Sequence, residues 1–258
     1  MSMTLASHID FLTAFAERHF TGDPSRDDMI RLKLEHSLRV LDNGERILDG
    51  EGIDGHTATL ARLATLYHDT GRFPQLAIYG TFKDQDSVNH ARLGVLTLRS
   101  LDLPCGIAPD DWRTIRLAVA QHNVKTIRDS LPEPAGLITK VVRDADKLDI
   151  LKVMIEFFSG ELNDPTITHG FKEIPGQYSD RIYDAVMAEE PGDYRDIKCA
   201  NDFKLLIAGW IYDFNFASAI SIASRRGLIE RIFSFLPKDK KIQYLEEKIN
   251  KFIHYNAA

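Results

Sequence analysis

Imidazole and carboxylate groups recur at positions of this chain where ordinary packing would place apolar side chains. His36 lies on the stripe Leu32, His36, Val40 and Ile47. His68 continues the face of Leu60 and Ala64, and Asp69 follows it at a helix end. His90 precedes Leu93 and Gly94, and His122 follows Ile115, Ala118 and Val119. Asp146 shares a face with Val142, Ile150 and Val153. A buried, unpaired carboxylate is too costly to persist as an ion, so Asp146 needs a cation, a hydrogen-bond network or a metal. Asp144, on the side of Val141, Leu148 and Leu151, competes with it, and periodicity does not choose between them. Asp69 is also hard to excuse, because a carboxylate at the negative end of a helix is unfavourable. Taken singly, His36 is best read as a hydrogen-bonded core residue, His68 as a C-terminal imidazole interacting with the helix dipole, and His90 and His122 as structural. Together, four imidazoles and two or three carboxylates without thiolate suit Zn, Mn, Fe, Ni or Mg rather than a structural thiolate zinc. The other histidines, His8, His19, His56, His169 and His254, show no comparable pattern.

The elements that must position these groups are helical. Apolar residues recur with a 3.6-residue period over 5–20, about 26–49, 56–69, 87–101, 111–128 and 137–158. Gly71 is expected to end the third helix in the left-handed conformation. Residues 72–86, with Pro74, Gly80, Asp84 and Asp86, read as a loop, and so do 159–178. Phe73, Tyr79 and Phe82 in the first loop are read as packing over the core, with a pocket wall or base stacking as the functional alternative. Four or so further helices follow. No run alternates with period two, so the fold class is all-α, and no linker marks a boundary, so one domain over 1–258 is expected. The apolar stretch from Leu205 to Ser224 has about the length of a membrane span. Asp213 and Asn215 at its centre argue instead for buried core helices.

Charge and cysteine usage set further bounds. The 258 residues carry 32 Lys plus Arg against 38 Asp plus Glu, a net charge of -6. That excludes a sequence-independent nucleic-acid coat, which needs many phosphate-neutralising cations. It leaves room for a small phosphorylated substrate in a local basic pocket. Lys238, Lys240 and Lys241 are balanced by Asp239, Glu246 and Glu247 and read as a solvated helix start. The two cysteines, Cys105 and Cys199, fit a reducing compartment. The N-terminus lacks a basic and apolar leader pattern. A cytoplasmic protein with no membrane partner is expected.

The motif set resembles the HD-domain superfamily of metal-dependent phosphohydrolases. Its signature is a His, an adjacent His-Asp pair and a distant Asp, here His36 in KLEHSLRV, His68-Asp69 in LYHDTGRF and Asp146 in RDADKLDIL. The resemblance covers about residues 30–152 and implies an HD-like helical bundle, with 153–258 as an extension of further helices. It implies that His36, His68, Asp69 and Asp146 hold one divalent ion, and the ADKL context favours Asp146 over Asp144. Relatives with two metals add histidines between the pair and the last Asp, and His90 and His122 occupy those places. Asp69 would then bridge two ions; with one ion, His90 and His122 would be proton donors or phosphate contacts. The family's frequent Gly-Lys after the pair is replaced by Thr70-Gly71-Arg72, where Arg can contact phosphate bidentately. Arg72 and Lys147 are the expected phosphate-stabilising residues, with Arg39 a weaker candidate.

The implied activity is hydrolysis of a phosphate ester or anhydride of a small molecule, a nucleotide first, with Mn, Fe, Co, Ni, Zn or Mg as one or two ions. The alternatives are a nucleotide-sensing module without turnover and a di-iron HD-fold oxygenase. The apolar segments Trp210 to Phe216 and Leu228 to Leu236 are expected to cap the core or to form a homo-oligomer interface.

Overall fold

The computed structural model describes residues 5–128, 130–162 and 171–257. Among them every regular element is a helix, as the periodicity predicts. They cluster into two compact units, one ending at Asp149 and one starting at Ile150. No polar linker marks this boundary in the sequence. A continuous helix runs through the boundary instead.

The first unit opens with α1 (Leu5–Glu17), whose buried stripe is His8, Leu12, Phe15 and Ala16. α2 (Pro24–Gly50) starts where Pro24 occupies the first turn, which needs no N–H, and Asp23 accepts a bond from the Ser25 amide. α3 (Gly55–Tyr67) is buried on most of its faces, from Ala58 through Tyr67. α2 packs along it on one side. α4 (Arg72–Tyr79) lies where the sequence suggested only loop. Pro74 misled that reading: in a helix's first turn proline breaks nothing, and Gly80 at φ 69° closes the helix left-handed. A short 3-10 turn covers Asp84–Asp86. α5 (His90–Ser100) is capped by the Asn89 side chain on the Arg92 amide. α6 (Pro109–Gln121) packs on α5 and on α3. α7 (Ala135–Phe158) then delivers Asp144, Asp146, Lys147 and Asp149.

Gly71 departs from expectation. Its φ is −67°, in the right-handed helical region, so it is no left-handed cap. Its constraint is space. A Cβ there would lie 2.2 Å from the His90 carbonyl oxygen and 2.5 Å from the Gly94 amide nitrogen. This contact of backbone on backbone brings the turn carrying His68 and Asp69 against the start of α5, which carries His90.

The second unit holds α8 (Asp180–Met187), α9 (Ala200–Ala208), a 3-10 turn (Gly209–Asp213), α10 (Ala217–Arg225), α11 (Leu228–Ser234) and α12 (Lys240–Asn256). The apolar stretch from Leu205 is thus split into short helices, and none in the described residues is long and apolar enough to cross a membrane. Asp239 caps α12, and Lys241 pairs with Asp180 at 2.8 Å, so this lysine cluster is an exposed helix start. His169 lies outside the described residues.

Gly71→Ala is expected to destabilise the protein by about 3 kcal/mol, because the clash is with backbone that cannot rotate away. Urea unfolding of the full chain checks this; a midpoint within error of wild type would mean that the turn and α5 separate freely.

Candidate metal centre

Each motif residue has a local reason for its direction. His68 is the residue after α3, and its Nδ1–H donates to the Thr65 carbonyl at 2.8 Å. His122 follows α6 in the same way, with Nδ1 donating to Val119 O at 2.7 Å. A carbonyl only accepts, so in both rings the proton is on Nδ1 and the lone pair on Nε2. His36 turns Nδ1 to Asp149 Oδ2 at 2.7 Å, and His90 turns Nδ1 to Asp84 at 2.8 Å. All four Nε2 atoms therefore face inward.

They meet the carboxylate of Asp69, which is nearly fully buried. Its Oδ2 lies 3.6 Å from His36 Nε2 and 3.8 Å from His68 Nε2. Asp146 Oδ1 completes that group, 3.2 Å from His36 Nε2 and 3.7 Å from His68 Nε2. His36 and His68 Nε2 are 3.3 Å apart. Donors about 2.1 Å from one tetrahedral ion stand about 3.4 Å from each other, so this spacing suits a shared cation. On the other side, Asp69 Oδ1 lies 3.5 Å from His90 Nε2 and 3.9 Å from His122 Nε2, which are 3.1 Å apart. The arrangement brings all six expected residues together around one carboxylate. Asp144, fully buried, joins neither group.

The electrostatics ask for positive charge. Asp146 Oδ1 is buried yet accepts no hydrogen bond of acceptable geometry, an orphan that a cation would satisfy. The donor set is hard oxygen and imidazole nitrogen without thiolate, which fits a divalent ion of the Mn, Fe, Co, Ni or Zn type. Burial alone would raise the Asp69 carboxyl, but Lys33, His68, Arg72 and His90 hold it well below the usual range. Asp146 is similarly lowered against its burial by His36, His68 and His122. Burial pushes His68 down, and pushes His122 down to about 3 with His90 and His68 adding to it. His36 is raised: burial and Lys33 oppose this, but the Asp146 carboxylate 3.2 Å away and the bond to Asp149 outweigh them.

Other predicted residues have different placements. Arg72 Nη1 donates to Gln75 Oε1 at 2.9 Å, to Phe82 O and to Asp84 Oδ1 at 3.1 Å, while its Nε faces Asp69 Oδ1 at 3.5 Å. It therefore clamps Asp69 and Asp84 in place. Arg39 binds both oxygens of Asp149, at 2.7 and 3.1 Å, and so supports His36 through it. Lys147 is buried on the same turn of α7 as Asp146. Phe73 is fully buried against Phe15, whereas Phe82 is half-buried under the Lys33 and Arg72 side chains.

Three contributors were missed. Asp149 could have been found from its place three residues after Asp146 on one helix face. Lys33, three residues before His36, places Nζ 3.0 Å from Asp69 Oδ2. Asp84, six residues before His90 in a turn, carries no periodic signal.

The fold and site together define a helical protein built around a His/Asp centre able to hold a divalent ion. Residues 34–151 match the family model of the HD domain. Over that segment the chain is similar to the HD-domain superfamily of metal-dependent phosphohydrolases. Neither a curated protein nor a solved structure matches the chain.

Asp149→Asn is expected to weaken metal binding about 10- to 100-fold, because it weakens the outer bond that fixes His36. Calorimetric titration with Mn²⁺ reads this, and unchanged affinity would show that the Asp149 bond does not tune the centre. A second expectation concerns pH. His8, His68 and His122 are lowered by burial, so below about pH 6.5 the unfolded chain binds protons that the folded one refuses. His36 contributes oppositely: its stabilisation is complete below that pH and lost as pH rises through its raised value. Three lowered groups against one make the metal-free protein less stable at about pH 5 than at about pH 7.5. Urea midpoints in chelator at the two pH values decide it, and a higher midpoint at the acid end would refute the balance.

Proposed function

We propose that the protein is a divalent-metal-dependent phosphohydrolase acting on a phosphate ester or anhydride of a small molecule, with a nucleotide as the first candidate. The observation that carries this reading is the division of Asp69: Oδ2 faces the His36–His68 pair and Oδ1 the His90–His122 pair. On this reading His36, His68, Asp69 and Asp146 hold one ion, and Asp69, His90 and His122 offer a second position. A bound divalent ion lowers the pKa of water and neutralises phosphoryl oxygen charge.

The protein's own groups do the rest. Asp69 and Asp146 stay ionised and supply the negative charge that retains the ion. The Nδ1 bonds of the four histidines keep their lone pairs directed inward without reorganisation. Arg72 faces Asp69 Oδ1 with Nε at 3.5 Å and bonds Asp84 through Nη1; its Nη2, in neither contact, is proposed to meet a phosphate. Lys147 is proposed as a second cation near Asp146. Of the three aromatic residues considered for stacking a base, Phe82 is the one on the cationic side of the site. No basic stripe in the sequence supports a nucleic-acid substrate.

The test is a panel of nucleotides and simpler phosphoesters assayed with Mn²⁺, Co²⁺, Ni²⁺, Fe²⁺ and Mg²⁺, with Asp69→Ala in parallel. Phosphate release with at least one metal is expected, reduced about 10³-fold or more in the variant, since the carboxylate faces both imidazole pairs. Full activity in Asp69→Ala, or a folded wild type that takes up no metal, overturns the proposal. Tight nucleotide binding without turnover under every metal would favour a sensing module, and oxygen-dependent product formation with iron would favour oxidation chemistry.

A further inference from the structure

Lys33 has a position that the metal-holding residues do not explain. It lies one turn before His36 on α2, and its ammonium is 3.0 Å from Asp69 Oδ2. That oxygen is the one facing His36 and His68. The lysine side chain is 20% exposed, against 4% for Asp69 and 0% for His68, so its charge lies on the solvent side of the donor group. The Phe82 ring is 5.6 Å from Nζ and offers the ammonium a second favourable surface on that side.

Two cations cannot share this oxygen without cost. A divalent ion held by His36, His68, Asp69 and Asp146 would stand a few ångströms from an ammonium on the same atom, and the two repel. Arg72 is tied by bonds to Gln75, Phe82 and Asp84 and has little freedom to respond. Lys33 has one bond and a flexible four-carbon stem. Resting on the metal-dependent phosphohydrolase reading, we propose that Lys33 is a displaceable phosphate contact. Its ammonium neutralises Asp69 Oδ2 until a divalent ion takes that oxygen, and then donates to the phosphoryl oxygens of the substrate at the mouth of the site. A phosphate is the chemistry that fits, because it brings back the negative charge that the ammonium has lost.

The experiment titrates the full-length wild type, Lys33→Met, Lys33→Gln and Lys33→Arg with Mn²⁺ alone, then titrates each Mn²⁺-loaded protein with inorganic phosphate, with circular dichroism as the check on folding. Removing the ammonium is expected to tighten Mn²⁺ binding about tenfold and to weaken phosphate binding about tenfold, the scale of one charge-assisted bond. Lys33→Arg is expected to restore phosphate binding. Unchanged or weaker Mn²⁺ affinity in both neutral variants overturns the proposal, as does tighter Mn²⁺ binding with phosphate affinity unchanged. In either case the metal reading survives, because the wild type still binds the ion. A wild type that takes up no metal overturns both readings together.

Discussion

Every imidazole of the centre gives its Nδ1–H outward, and that single constraint directs four lone pairs at one carboxylate. Two of the outward partners are carbonyls one turn back, Thr65 O for His68 and Val119 O for His122. They cost the sequence nothing, because the last carbonyls of a helix have no partner of their own. The other two are carboxylates, Asp149 for His36 and Asp84 for His90. With donors turned away, the interior holds acceptors only, and an interior of acceptors is stable when a cation completes it. The protein carries partial substitutes in the Lys33 ammonium and in a proton favoured on His36. Both occupy positions that a divalent ion would need.

Rigidity follows from where the groups are mounted. His36 and Asp146 project from the interiors of α2 and α7, helices of 27 and 24 residues. His68 and His122 leave from helix ends, and His90 begins α5. Asp69 is different, since it occupies the turn between α3 and α4. The sequence suggested a carboxylate at the negative end of a helix. The structure places it also three residues before the positive end of α4, so part of that dipole cost is offset. Gly71, pressed against the backbone of α5, locks this turn to the element that carries His90.

Much of the centre was legible in the sequence because metal-holding side chains break the apolar periodicity of helices. His36 and Asp146 stand out for that reason, and the boundaries of α1, α2, α3, α5 and α7 follow within three residues, while α6 ends at Gln121 rather than near 128. What periodicity cannot show is what lies between elements. Asp84 is in a 3-10 turn whose pairing with His90 depends on how the chain returns after α4. α4 itself was hidden by Pro74, whose effect reverses between a helix's first turn and its middle. Arg72 was legible as a cation, but its bonds to Asp84 and Phe82 depend on a loop closing ten residues later. Asp149 and Lys33 were within reach: each is three residues from a motif residue on the same helix, the spacing that puts side chains on one face.

The two halves of the centre are alike in one respect and unequal in another. Each pairs an imidazole anchored by a carboxylate, His36 or His90, with one anchored by a carbonyl, His68 or His122. A carboxylate anchor makes the ring a stronger base and a better ligand than a carbonyl anchor does. The inequality lies in the oxygens. The His36–His68 side has Asp146 as well as Asp69, while the His90–His122 side has Asp69 alone. Two carboxylates neutralise a divalent charge and one does not. The first side is therefore the stronger position for an ion. An ion on the second side would need further negative charge, and on the proposed function a phosphate oxygen is a ligand of the right kind. On the proposed reading, the same Asp69 that joins the halves would leave one of them dependent on the substrate.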